Sequence, residues 1–138
     1  MHPYHIISGH PRISVHTLHQ MTPMLMKLHR GQPVAFINKE VAKDKGIEDG
    51  DMIKVYNDYD ASELMASLSA GVGPDQIAIY MWEPNQFKDW KSHDAMLIGM
   101  PKGTHLAMDY KQLRHQFFTG SPNPTGDRAL RVNFEKVS

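Results

Sequence analysis

The segment "NKEVAKDKGIEDGDMIKVYND", residues 38–58, constrains the fold of this chain more than any other. Asn38 is suited to cap a helix, and Val41 and Ala42 begin a short apolar face behind it. A glycine then ends the helix, the tight turn "EDGD" follows, and "MIKVYN" alternates as a strand does. The segment therefore predicts one short helix near residues 39–46 that leads directly into a β-strand.

The rest of the chain consists of short apolar runs separated by turns rich in Gly and Pro. Strands are predicted at residues 4–9, 33–38, 64–69, 76–82 and 128–137, and one or two helical turns at 22–31. Many short strands with few helices predict a mainly β fold that closes into a barrel. The length of 138 residues suits a single domain, residues 1–138.

Charge and cysteine content exclude several kinds of partner and site. Fifteen basic and fifteen acidic residues give a formal net charge of zero, which argues against nucleic-acid binding because such binding needs a basic excess. The chain has no cysteine, so it can form no disulfide, iron–sulfur ligation or thiolate zinc site of its own. No apolar run approaches the ~20 residues of a membrane span, so we expect no direct membrane insertion.

The polar stretch "SGHPRISVHTLHQ", residues 8–20, carries the residues best suited to chemistry. Arg12 offers a planar fork of donors that matches a phosphate or pyrophosphate. Ser14 and Thr17 add hydroxyl donors, and Pro11 stiffens the backbone. Because the stretch follows a predicted strand, it is predicted to form a loop that binds an anion.

Other interpretations of the same loop are less well supported. His10, His16 and His19 are possible zinc ligands, but their spacing matches no standard zinc site, and surface histidines in a polar loop are the better supported of these two interpretations. A triad of Ser14, His16 and Asp51 lacks the G-x-S-x-G nucleophile elbow. The chain also has neither a P-loop nor a G-x-G-x-x-G motif.

The chain resembles the C-terminal domain of molybdopterin oxidoreductases of the dimethyl-sulfoxide-reductase family. The resemblance lies in two stretches that occur in this order, "GHPRISVHTLHQ" and "INKEVAKDKGIEDGDMIKVYND". "IYMWEPNQF" (79–87), "THLAMDYKQLRHQF" (104–117) and "GDRALRVNFEKV" (126–137) are similar to later segments of the respiratory branch. That branch includes nitrate, selenate, chlorate and perchlorate reductases and ethylbenzene dehydrogenase. The resemblance extends from residue 4 to the end of the chain.

The resemblance implies a double-psi β-barrel that covers a molybdopterin guanine dinucleotide cofactor (bis-MGD) carrying molybdenum or tungsten. The metal ligand and any iron–sulfur cluster belong to other domains of the family's catalytic subunit. The implied partners are therefore those remaining domains and an iron–sulfur electron-transfer subunit. No catalytic residue and no metal ligand is assigned to this chain, and we expect the isolated domain to be redox-inactive.

The resemblance also assigns cofactor-binding residues in three groups. The first group is the loop, with His10, Pro11, Arg12, Ser14, His16 and Thr17. The second is Asn57 and Asp58, which could pair with guanine or instead cap a turn. The third is Gln112, Arg114 and His115, which contact the cofactor or form a solvated face.

The chain departs from the family pattern at two places. Tyr59 and Asp60 stand where the family has Arg-Gly, so a different turn conformation is expected there. Ala107, Met108 and Asp109 stand where the respiratory branch has Gly-Gly.

The main alternative function is a non-catalytic double-psi barrel that acts as an adaptor or recognition module. A standalone barrel enzyme similar to aspartate decarboxylase is a third, disfavoured because no Gly-Ser self-processing site is evident.

Overall fold

The computed structural model of the chain describes residues 2–12, 22–28, 30–80, 91, 93–96 and 130–137. The strands within these residues are β1 (Tyr4–Gly9), β2 (Val34–Asn38), β3 (Met52–Tyr56), β4 (Ala61–Ser69), β5 (Gln76–Tyr80) and β6 (Arg131–Lys136). The helical segments are α1 (Pro23–Leu28), α2 (Lys39–Asp44) and a short 3₁₀ helix (His93–Met96).

The six strands close into a barrel in the order β1-β5-β2-β4-β3-β6. The pairs β1–β5 and β2–β4 are parallel, and the other four pairs are antiparallel. When the six registers are extended around the barrel, the alignment shifts by ten positions along β1 in one circuit, so the strands are strongly staggered. The prediction of a mainly β barrel with few short helices is confirmed.

Alternating apolar side chains of the strands fill the barrel. Ile6, Ile53, Ile77 and Phe134 are each at most 1% exposed, and each contributes roughly 1.5–3 kcal/mol by leaving water. The core residues are Ile6, Ala35, Ile37, Ala42, Ile47, Ile53, Val55, Leu64, Ala66, Ile77, Ile79, Met96, Leu130, Val132 and Phe134. The apolar face predicted for the last strand, formed by Leu130, Val132 and Phe134, is therefore part of this core.

The helix predicted from the opening segment is present as α2 and is capped as expected. The Asn38 side-chain oxygen accepts hydrogen bonds from the backbone N–H groups of Glu40 (3.0 Å) and Val41 (3.4 Å). The Asn38 amide also donates to the Val72 carbonyl at 2.7 Å, which ties the cap to the β4–β5 turn. Gly46 ends the helix with a φ of 66°, a conformation that costs glycine little.

Strand β4 is longer than the sequence predicts, because it begins at Ala61 rather than at residue 64. Ser62 points inward in the same alternation as Leu64 and is 2% exposed. Its hydroxyl is satisfied inside the protein by donating to the Lys91 carbonyl at 2.6 Å. An apolar pattern could not reveal this extension, since a serine occupies the inward position and its partner is distant in sequence.

Candidate functional site

Strand direction gathers two of the predicted groups at one end of the barrel. β1, β3 and β5 run in one direction, whereas β2, β4 and β6 run in the other. The carboxyl ends of the first three therefore lie at the same end, which we call the upper rim. Residues 10–12 follow β1 and residues 57–58 follow β3, so both predicted groups belong to this rim.

The loop after β1 exposes a charged group on a fixed support. Pro11 is buried, which together with its locked φ fixes the direction in which the chain leaves the strand. Arg12 is exposed, and within the residues that the structure describes its guanidinium has no hydrogen bond or ion pair. A guanidinium keeps its charge and its five donors, so Arg12 is available to an external anion.

The end of β1 is held in place by aromatic packing on the outside of the barrel. Gly9 pairs in register with Tyr80, and a Cβ on Gly9 would lie 3.7 Å from the Tyr80 ring. The rings of Tyr80 and Phe36 are 5.2 Å apart in an edge-to-face arrangement. The upper rim is thus anchored across β1, β5 and β2 immediately before the loop that carries Arg12.

Asn57 closes the turn between β3 and β4. Its side-chain oxygen accepts from the backbone N–H groups of Tyr59 (3.0 Å) and Asp60 (3.1 Å), and its amide donates to the Met96 carbonyl (2.9 Å). Residues 57–60 all keep negative φ, so this turn does not need the glycine of the family pattern. Of the two roles that the sequence leaves open, turn capping is the one these contacts display.

Asp58 presents its carboxylate to solvent beside a histidine. Its side chain is 80% exposed, and one oxygen lies 2.9 Å from Nε2 of His2, whose own side chain is only 18% exposed. The hydrogen bond from His2 lowers the pKa of Asp58 below its ordinary value, because it stabilises the ionised carboxylate. The His2 ring also contacts Tyr56 edge-on, with centroids 6.3 Å apart. Asp58 therefore remains an exposed anion with acceptor capacity to spare.

Lys91 and the short 3₁₀ helix (His93–Met96) contact the same turn. Lys91 forms an ion pair with Asp60, which lowers the pKa of the Asp60 carboxyl, and its carbonyl accepts from Ser62. His93 and Met96 are buried at 1% and 0% exposure. Sequence reasoning missed His2 and Lys91 because both contacts bridge long sequence separations, and no local pattern marks either residue.

Six predicted site residues fall outside the described part of the chain, namely Ser14, His16, Thr17, Gln112, Arg114 and His115. Their assignment to the cofactor stays a prediction. Within the described residues, no group of three or more His, Cys, Asp or Glu side chains could hold a metal ion. No described helix has the length and apolar character needed to cross a membrane.

The donors and acceptors at the upper rim fit a dinucleotide cofactor. No residue in the described part of the chain bonds the Arg12 guanidinium, which could therefore donate to a pyrophosphate, and the exposed Asp58 carboxylate could accept from the donor edge of a base. A closed barrel with such a rim defines the chain as a β-barrel domain suited to binding an anionic nucleotide-like ligand.

Comparison with known proteins agrees with this class and makes it specific. The family model described as the Molydopterin dinucleotide binding domain matches residues 4–108. The chain therefore belongs to the molybdopterin-dinucleotide-binding domain family, and its cofactor is a molybdopterin dinucleotide with molybdenum. The prediction made from the two sequence stretches is confirmed.

Individual relatives are alpha subunits much longer than this chain. The dimethylsulfide dehydrogenase subunit alpha of Rhodovulum sulfidophilum is 31% identical over 123 residues, which cover 88% of this chain and 14% of that protein. The respiratory nitrate reductase subunit alpha of Haloferax mediterranei is 29% identical over 141 residues, covering 99% of this chain and 14% of that protein. The chain thus spans about one seventh of the length of these relatives.

A solved structure shows the same fold. Acetylene hydratase from Pelobacter acetylenicus superposes with a TM-score of 0.65 at 18% sequence identity, covering 99% of this chain and 18% of that one. At this level of identity the similarity concerns the fold. It supports the barrel architecture independently of the matched sequence motifs.

Proposed function

We propose that this chain covers a molybdopterin guanine dinucleotide cofactor as one domain of the catalytic subunit of a molybdenum or tungsten oxidoreductase. The observation that carries the proposal is the exposed guanidinium of Arg12 on the upper rim of a barrel of this family, which bonds none of the residues that the structure describes. An exposed arginine that bonds no described residue contributes little to the described part of the fold, so its charge is free to bind a ligand.

Each rim residue has a distinct proposed role. Arg12 donates to the pyrophosphate oxygens, and Asp58 accepts from the amino and imino groups of guanine. His10 and Pro11 shape the loop, Asn57 holds the turn that carries Asp58, and the remaining predicted donors complete the contacts. The bound cofactor supplies the two-electron chemistry, and its metal is ligated outside this chain.

The class of reaction and the partners follow from the relatives. Their names describe dimethylsulfide dehydrogenase, nitrate reductase, perchlorate reductase and chlorate reductase alpha subunits. We propose an oxidoreductase that acts on a small oxyanion or on a small organic substrate. Because the chain has no cysteine, any cysteine-ligated iron–sulfur cluster would be held by other polypeptide segments, and we propose an iron–sulfur subunit as the electron carrier.

The test is replacement of Arg12 in the complete catalytic subunit. A charged hydrogen bond contributes roughly 1.5–3 kcal/mol, so Arg12→Ala should reduce cofactor retention by about tenfold or more. Arg12→Lys should restore only part of it, since an ammonium keeps the charge but loses the fork. The measurement is molybdenum and guanine nucleotide content per purified protein.

Arg131→Ala is the matched control. Arg131 is also exposed, but its guanidinium donates to the Pro3 carbonyl at 3.0 Å, so its removal should affect the fold and not the cofactor. Full cofactor content in Arg12→Ala, together with a lower thermal midpoint of the cofactor-free chain, would mean that the loop after β1 is structural. That result would contradict the proposal.

A further inference from the structure

Helix α1 displays apolar side chains that the barrel does not cover. None of its six residues, "PMLMKL", is buried. Met24 is 72% exposed and Leu28 is 62% exposed, and they are the most exposed of the large aliphatic residues that the structure describes. Because they are four positions apart, both side chains lie on one face of the helix. We call Met24 and Leu28 the α1 face.

The α1 face is held in a defined place. Gly31 N–H donates to the Met26 carbonyl at 2.8 Å, and Arg30 and Gly31 both take left-handed φ values of 63° and 65°. The Arg30 guanidinium then donates to Asp49 at 3.0 Å, and the other oxygen of Asp49 accepts from Leu68 N–H at 2.9 Å. The end of the helix is therefore fastened to the barrel, so the apolar face is presented on a fixed support.

A helix of this length does not keep its form on propensity alone. Isolated helices shorter than about 12–15 residues are marginal in water, and most helix stability in proteins comes from packing of an apolar face. A left-handed non-glycine residue such as Arg30 adds a further cost. Both costs are offset once the α1 face is covered by another apolar surface.

We propose that the α1 face is the docking surface for the remainder of the catalytic subunit, the polypeptide that completes the cofactor site. This inference rests on the proposed function. The curated relatives extend far beyond this domain, since it accounts for 14% of the first two, so an alpha subunit has ample surface to cover α1. Helix α1 also precedes β2, which begins at the upper rim because it is antiparallel to β5, so the docked polypeptide would lie at the end of the barrel that carries Arg12 and Asp58.

The composition of α1 fits this occupant. Its one charged residue, Lys27, leaves a predominantly apolar surface, which suits a permanent contact better than a transient one. Flexible methionine side chains adapt to the shape of the surface they meet. A second copy of the chain is the competing occupant, and the experiment below distinguishes the two.

The experiment places the photo-cross-linker p-benzoylphenylalanine at position 24 of the protein in its host cell. The control carries the same cross-linker at Met52, which is 37% exposed and lies on β3. After irradiation and purification, the cross-linked peptides are identified by mass spectrometry. The alpha subunits contain long regions that this domain does not match. We expect position 24 to cross-link to a segment similar to one of those regions, whether it belongs to the same polypeptide or to a separate one. Position 52 should form no such cross-link.

A second arm measures assembly. The double variant Met24→Gln, Leu28→Gln should leave the urea midpoint of the 138-residue chain unchanged, because the two side chains are exposed in it. In the complete subunit the double variant should weaken the docking of this domain onto the remaining domains. The equilibrium constant between the docked and undocked forms should fall by about tenfold or more, since two apolar side chains lose their burial. Met52→Gln is the control and should change neither quantity.

Several results would overturn the proposal. They are a cross-link from position 24 to another part of this chain or to a second copy, equal linking at position 52, or no link at all. A lowered urea midpoint in the double variant would show that α1 is packed within the chain. Failure of the proposed function would give a different result: the Arg12→Ala variant would keep its cofactor while position 24 still formed the expected cross-link.

Discussion

Asn57 and Asp58 are adjacent, yet the contacts around them predict opposite consequences of their removal. Asn57→Ala deletes three hydrogen bonds, two that close the β3–β4 turn and one that holds the Met96 carbonyl. Each is worth a net 0.5–1.5 kcal/mol, and the bond to Tyr59 is exposed, so we expect a loss of about 2 kcal/mol in the free energy of unfolding. For a domain of this size, that lowers the thermal midpoint by roughly 5–8 °C.

Asp58→Ala removes only the exposed contact with His2, so the stability of the chain should change little. Asn57→Asp is the informative intermediate. This variant keeps the acceptor that closes the turn but replaces the donor to Met96 with a carboxylate oxygen that faces a carbonyl. We therefore expect its free energy of unfolding to lie between those of Asn57→Ala and Asp58→Ala. In the complete subunit the order of the two alanine variants should reverse when guanine nucleotide content is measured. Asp58→Ala should lose more nucleotide than Asn57→Ala, and more than its small effect on stability explains.

The assay is urea unfolding of the 138-residue chain, followed by far-ultraviolet circular dichroism and by tryptophan fluorescence. Stability is compared at a constant m-value, because a changed m-value would indicate a changed unfolded state rather than a lost contact. Equal losses of stability in Asn57→Ala and Asp58→Ala would refute the reasoning. An unchanged midpoint for Asn57→Ala would refute it as well, since the turn would then close without the asparagine.

Three further predictions concern the barrel. Asn38→Ala removes the α2 cap and the bond to Val72, and should cost about 1–3 kcal/mol in urea unfolding, whereas Asn38→Ser should recover part of it. Ile53→Val should cost about 0.5–1.5 kcal/mol, because Ile53 is fully buried, and a neutral result would mean a looser core than its burial indicates. The pKa of Asp49 is held below its ordinary value, first by the backbone N–H of Leu68 and then by Arg30. Its stabilising effect should be complete above about pH 4 and should fade as the pH falls through the folded-state pKa, so Asp49→Asn should flatten the acid limb of a stability–pH curve.

Local patterns predicted the elements whose stability is local. The α2 helix could be placed from its cap and its terminal glycine, because those interactions lie within a few residues of one another. Strand β6 and strand β3 could be placed from alternation, since one face of each strand is buried. The cap role of Asn57 is also readable in principle, because the spacing from Asn57 to Asp60 is that of a side-chain-closed turn.

The contacts that shape the upper rim could not be derived in the same way. His2 meets Asp58 across 56 positions, Asn57 meets Met96 across 39, and Ser62 meets Lys91 across 29. Each depends on which strands become neighbours, and the parallel pairing of β1 with β5 is not encoded in any one segment. The short strands predicted a barrel and the family resemblance specified a double-psi barrel, whereas the roles of the individual residues within the turn required the packed structure.

The topology explains why two motifs distant in sequence can serve one ligand. β6 lies between β1 and β3 and is antiparallel to both, so these two strands run in the same direction. Their carboxyl ends must then face the same end of the barrel, which brings the loop with Arg12 and the turn with Asp58 to a common rim. Opposite charges at two places on that rim match a ligand that has an anionic centre and a separate donor edge, as a purine dinucleotide does. A small inorganic anion would need only the first of these groups. Loss of nucleotide on removal of either Arg12 or Asp58 would therefore distinguish a dinucleotide site from a simple anion site.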